Sequence, residues 1–395
     1  MNGLKSGGDM PLVNIYEPCF PFFGKFRKRY MMFDNVKRNF GFGCMRLPMI
    51  DGEVDTAECN RMVDSFIANG FNYFDTAHGY IDGKSEKAIK TCLTSRYQRD
   101  RYILANKLSD WFFKTEEEIL PLFESQLEIC GVEFFDFYLF HALNRHSYQK
   151  HKACNSFAIV DQLKKEGKVK HIALSFHDTA DILDLILTEQ PQVEVVQLQI
   201  NYLDYDDPSV QSKKCYDVAV KHGKKVIVME PVKGGALVNL PDAAIAEFKK
   251  LGDAAPVSYA LRYAASFPEV FMVLSGMGNM EMMESNIRTM HPFVPLNEAE
   301  LATTDKVRGI IREYRQIPCT KCKYCAEVCP KNVPIADLFA VYNEYALAKV
   351  TKKDTKESLE SFDVKAGDCI ECGKCEGICP QSIAIREHLK KLTKM

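Results

Sequence analysis

The chain of 395 residues holds one tryptophan, a net charge of only −2 and no long apolar run. Each shortage excludes something. A membrane helix needs roughly 18 or more consecutive apolar residues, and no stretch approaches that. With 51 basic against 53 acidic residues, nothing global draws the chain to nucleic acid or to an anionic membrane surface. The N-terminus lacks the apolar core and small-residue cleavage site of a signal peptide, so a cytoplasmic protein is expected. Also missing is a G-x-G-x-x-G turn after the first apolar run, where the text reads GFGCMRLP; this disfavours an open doubly wound sheet.

Cysteine is abundant, and unevenly so. Seven of the 15 are scattered singly before residue 300, and eight crowd into the last 80 residues. That partition argues against a secreted disulfide scaffold and for a metal-binding tail. The length and an apolar fraction of 46% suit one large domain and a smaller one. The expected division is an N-terminal extension over 1–38, a barrel over 39–300, and a connector with a cysteine-rich module over 301–395. Within the extension, residues 18–33 (PCFPFFGKFRKRYMMF) are aromatic and basic. They would suit a membrane surface or a partner, or more simply fold onto the domain as an irregular segment. Met31 or Met32 would serve equally as a start.

From 41 to about 290, apolar runs alternate with helical patterns at a period near 30 residues. Strands are expected at 41–47, 71–77, 102–108, 134–143, 169–176, 193–203, 224–232 and 270–277. Helical patterns at 59–70, 116–131 and 158–167 each end at a glycine, a usual C-terminal stop. Eight such units in series predict a closed (β/α)8 TIM barrel. Residues 291–315 read as a connector carrying a helical stretch. In the tail, 335–350 is helical, and 351–360 is a loop or a solvated helix.

On such a barrel the active site lies at the C-terminal ends of the strands. There Asp75 ends the second run, Lys107 the third and His141 the fourth, with Tyr80 in the loop after the second. A phenol with a pKa near ~10 is a poor donor at neutral pH. A neighbouring ammonium held by a carboxylate would lower that value, and a histidine would orient the substrate oxygen. Asp75, Tyr80, Lys107 and His141 therefore suit the protonation of a carbonyl oxygen while hydride arrives at carbon.

Residues 40–300 resemble the aldo/keto reductases, whose Asp–Tyr–Lys–His tetrad matches these four positions in order and strand context. The resemblance implies a bound NADPH or NADH. Ser175 and Gln197 would contact the nicotinamide carboxamide, although Phe176 stands where the family usually has asparagine. Gly234, Gly235 and Leu237, in PVKGGAL, would lie in the loop over the pyrophosphate, and Asn286 would meet the adenine. No basic cluster for a 2′-phosphate is evident; Lys233 and Arg288 are the candidates. Trp111, Phe112, Phe113 and the loop after His141 are candidates for the substrate pocket, whereas His177 is expected to have no catalytic role.

In the tail, Cys319, Cys322, Cys325 and Cys329 form C-x2-C-x2-C-x3-C followed by Pro, and Cys369, Cys372, Cys375 and Cys379 repeat it. Zinc sites usually pair two C-x2–4-C knuckles instead. The tail resembles a two-cluster bacterial-type ferredoxin. That pattern implies one [4Fe–4S] cluster on Cys319, Cys322, Cys325 and Cys379, and another on Cys369, Cys372, Cys375 and Cys329. Together the halves are similar to aldo/keto reductases with a C-terminal ferredoxin domain. Where ordinary members send a C-terminal tail over the barrel mouth, this chain has the cysteine module.

The expected function is NAD(P)H-dependent reduction of a small carbonyl compound, or oxidation of the alcohol. Two other readings are kept: an electron-transfer protein serving a ferredoxin or flavoprotein partner, and a non-catalytic nucleotide-bound redox sensor. Hydride moves as a two-electron unit and clusters pass single electrons, so the halves do not mesh without a converter.

Overall fold

The computed structural model describes residues 33, 35–314 and 316–395. All but the last residue of the aromatic–basic stretch 18–33, and both alternative start methionines, lie outside them. Eight strands close into a barrel: β1 (Phe40–Gly43), β2 (Tyr73–Asp75), β3 (Ile103–Leu108), β4 (Phe135–Leu143), β5 (Val169–Phe176), β6 (Val195–Gln199), β7 (Lys225–Met229) and β8 (Val270–Gly276). Each pairs in parallel with the next, and β8 closes against β1. All eight expected strands are present, 169–176 with the same bounds and the other seven shorter.

Strand parity sorts the side chains into two cores. Tyr73, Ile103, Ala105, Phe137, Leu139, Ala173, Val195 and Ile227 point inward, over Phe33 and Val36. Their alternates Phe74, Leu104, Tyr138, Leu174 and Val196 face the helices. The same parity sends Asp75, Lys107, His141, Ser175 and Gln197 inward at the strands' C-terminal ends. One register step ties them together: Gly43 lies beside Asp75, Asp75 beside Ala105, and Ser175 beside Gln197.

Helix Glu298–Glu313, within the expected connector, packs on the barrel's outer wall. Val307 and Ile311 enter its core, and Arg262 holds Glu300 at 2.7 Å. The C-terminal module has its own core of Ile317, Val333, Ile335, Leu338, Phe339, Ile383, Ile385 and Leu389. It is a repeat at an offset of 50 residues (369 − 319). Left-handed backbone recurs at Lys321 and Glu371, at Lys323 and Gly373, and at Asn332 and Ser382. Stretch 351–360 forms a helix, Lys352–Glu360, capped by Thr351.

The module sits on the barrel mouth. Gln381 and Gln199 exchange amide hydrogen bonds of 2.8 and 3.1 Å, and Arg46 donates to the Thr320 carbonyl at 2.7 Å. The Thr320 backbone lies so close to Gly234 that a Cβ there would stand 2.4 Å from its oxygen.

Candidate active site

Lys107 is buried at the end of β3. Its ammonium donates to Asp75 Oδ1 at 2.6 Å and to the Thr76 carbonyl at 2.8 Å, and lies 4.7 Å from the centre of the Tyr80 ring. His141 stands edge-on to the same ring, with centroids 5.8 Å apart. Its Nδ1 is 2.5 Å from Ser109 Oγ. All four expected tetrad residues therefore meet at one mouth, with Thr76 and Ser109 as supports that no motif announced.

The electrostatics differ from the sequence expectation in one respect. Tyr80 has its pKa raised well above the ordinary phenol value: burial dominates, the Asp75 charge adds to it, and an interaction with the Tyr324 hydroxyl opposes it. The Lys107 ammonium, 4.7 Å from the ring centre, does not outweigh that burial. Burial likewise pushes Asp75 up and Lys107 down, each resisted by the other's charge. Burial and the nearby Lys107 cation hold His141 neutral, well below the usual histidine range.

These groups open into a cavity of about 590 Å³ that runs from Tyr80 past Ser175 and Gln197 to Asn286. Gln197 lines this cavity, and its Oε1 is buried without a hydrogen-bond partner, as an acceptor awaiting a carboxamide N–H would be. Ser175 Oγ accepts from the Ala142 N–H at 2.7 Å, which leaves its own proton to donate. Asn286 donates to Ser275 at 3.2 Å. Gly234 and Gly235 line the cavity too. The residues present fit a nicotinamide dinucleotide.

Three expectations need adjusting. Leu237 is fully buried in the outer core and is not part of the cavity wall. The bareness of Gly234 is needed by Thr320, whatever it offers a phosphate. Lys233 is committed to Asp204 at 2.5 Å, and Arg288 stands at the surface beside Glu284. Around the substrate end, Trp111 packs 5.0 Å from His141, Phe113 is buried in the outer core, and the stretch after His141 is largely helix Arg145–Ala153. His177 lies in the cavity wall beside Pro380 of the module, and burial lowers its pKa to about 4.

The module contributes Thr320, Cys322, Tyr324, Pro380 and Gln381 to this wall. Tyr324, between two motif cysteines, is buried, and its hydroxyl lies 3.2 Å from His141 Nε2. Sequence reasoning missed it because the partners are 183 residues apart and a cysteine motif gives no hint of a barrel contact.

The eight motif cysteines surround two separate hollows. Cys319, Cys322, Cys325 and Cys379 line one; Cys329, Cys369, Cys372 and Cys375 line the other. Burial pushes the Cys322 and Cys325 thiols up to about 12. A thiolate here needs a compensating cation, as an iron–sulfur core would supply. Among the described residues, no three His, Cys, Asp or Glu side chains converge as on a single metal ion. The residues fit two clusters in the crossed pairing.

Residues 39–308 match the profile of the Aldo/keto reductase family, and 318–384 match that of the 4Fe-4S dicluster domain. The barrel is similar in fold to an aldo-keto reductase from Bacillus halodurans (TM-score 0.56, 22% identity, 69% of this chain and 92% of that one). It is also similar to one from Klebsiella pneumoniae in complex with NADPH (TM-score 0.56, 18% identity, 69% and 95%). The NAD(P)H-quinone oxidoreductase subunit I of Gloeobacter violaceus is 35% identical over 83 residues, 21% of this chain and 34% of that protein. The chain spans about a third of the length of the first curated relatives it matches.

Proposed function

Since the chain belongs to the aldo/keto reductase family, we propose that its barrel mouth reduces a small carbonyl compound to the alcohol with NADH or NADPH. Bound along the Ser175–Gln197–Asn286 wall, the dinucleotide supplies hydride to the carbonyl carbon. The chain supplies the rest. Tyr80 gives its hydroxyl proton to the oxygen, and a phenolate forms beside the Lys107 ammonium. Asp75 keeps that ammonium charged and in place. With the Ser109 hydroxyl donating to Nδ1, neutral His141 presents Nε2–H to the same oxygen.

The supporting observation is the buried Lys107–Asp75 pair directly against the Tyr80 ring. Tyr80→Phe is expected to lower kcat/KM for aldehydes by about 100-fold or more while dinucleotide affinity stays within a few-fold. Turnover within a few-fold of wild type would refute the mechanism.

In a second reading the clusters exchange electrons with a ferredoxin or flavoprotein partner. Its support is the presence of Cys322 and Tyr324 in the wall of the same cavity. Anaerobic mixing with NADH or NADPH decides it. Bleaching of the cluster absorption favours electron transfer, and an unchanged spectrum favours structural clusters.

A further inference from the structure

A carbonyl oxygen reduced at this site needs the Tyr80 hydroxyl and His141 Nε2 together. His141 Nε2 is already engaged. The Tyr324 hydroxyl stands 3.2 Å from His141 Nε2, and its ring is buried in one cluster with Tyr80. With Nε2 protonated, Tyr324 is the acceptor, as a carbonyl oxygen would be.

The ring behind that hydroxyl lies where a substrate body would lie. It faces the His141 ring edge-on, with centroids 6.0 Å apart, and packs against Trp111 at 5.7 Å. Ala77 and Tyr80 form the buried floor, with Met45 and Ile378 at the sides. The slot is lined by apolar groups, with His141 Nε2 at the hydroxyl end. The dinucleotide wall past Gln197 remains open while Tyr324 is in place.

We propose that Tyr324 is an internal stand-in for an aryl carbonyl substrate, so that the iron–sulfur module admits or excludes substrate by withdrawing or inserting this one side chain. This rests on the reading of Tyr80 and His141 as the carbonyl-oxygen site. Packing alone would explain a buried aromatic at an interface, but not a hydroxyl at hydrogen-bonding distance from His141 Nε2. The module does not need Tyr324 to stay docked: the Gln199–Gln381 pair, the Arg46–Thr320 bond and the Gly234–Thr320 contact hold it independently.

The test uses holoprotein with its clusters, a saturating oxidised dinucleotide and benzamide, an aryl carbonyl that hydride does not readily reduce. Calorimetry compares wild type with Tyr324→Ala, and with Tyr324→Leu, which keeps apolar contact but does not reach His141 Nε2. Iron and acid-labile sulfide per chain show that the module is intact. Both variants are expected to bind benzamide at least tenfold tighter than wild type and to gain a similar factor in kcat/KM for benzaldehyde. Dinucleotide affinity should stay within threefold. Equal benzamide affinity in wild type and in either cluster-replete variant overturns the stand-in. If Tyr80→Phe still abolishes benzaldehyde turnover, the reductase reading survives that result. Variants that neither bind benzamide nor reduce benzaldehyde overturn both.

Discussion

Tyr80 decides the chemistry, and its environment favours the protonated state. With its pKa raised above the ordinary ~10 of a phenol, the donor form persists throughout the neutral and mildly alkaline range. His141, pushed the other way, stays neutral below its ordinary ~6.5. Reduction should therefore have a kcat that is flat from about pH 6 to about pH 9. Oxidation, which needs the phenolate as acceptor, should rise with pH over the same window. Stopped-flow pH profiles in both directions check this; a reduction limb falling near pH ~7 would contradict it. The Lys107–Asp75 pair is a separate matter of stability. Lys107→Met leaves a buried carboxylate unpaired and should cost about 3–5 kcal/mol in urea unfolding. Replacing both residues by apolar ones should cost less than that single change. At this scale much was legible: four chemistry-bearing residues at strand ends are a pattern that spacing exposes. The direction of the Tyr80 shift was not, because it depends on the depth of burial and on the Asp75 charge beside it.

Among the elements, the strands were readable because parallel barrel strands are buried on both faces. Their ends were less so. Run 71–77 pairs only over Tyr73–Asp75, and 193–203 only over Val195–Gln199, because each chain leaves the sheet where its neighbours turn away. Helix Thr56–Ala68 begins before the expected 59 because Asp55 caps it, a signal present in the sequence and overlooked. The contact between the β7 loop and the module had no local signal. Gly234 has a φ of 62°, and any Cβ there meets the Thr320 backbone. Gly234→Val should loosen the module: left-handed strain of roughly 1–2 kcal/mol adds to a clash that only backbone movement relieves. Limited proteolysis should then cut faster between 314 and 318, whereas an unchanged cleavage rate would show that the contact is dispensable.

For the molecule as a whole, two architectures share one site. The module caps the mouth where Trp111, the sole tryptophan, packs between His141 and Tyr324. Removing iron by chelation should unfold the module, whose core is small and whose buried thiols need the metal. Acrylamide quenching of Trp111 should then increase several-fold; no increase would place the cap's stability outside the clusters. Acid should weaken the barrel as well. His151 and His177 are lowered to about 3 and about 4, and His141 is lowered too, whereas an unfolded histidine titrates near ~6.5. Below that value the unfolded chain binds more protons, so stability present at neutral pH is lost as pH falls. Urea midpoints at descending pH follow this loss. The most direct test of the central claim is isotopic. Holoprotein is incubated with an aryl aldehyde and NADH or NADPH carrying deuterium at the transferable position, and the alcohol is analysed by mass spectrometry. Hydride transfer at the barrel mouth predicts one deuterium on the carbinol carbon. An alcohol whose new carbon-bound hydrogen comes from water would mean that electrons arrive singly through the clusters, and would contradict the account.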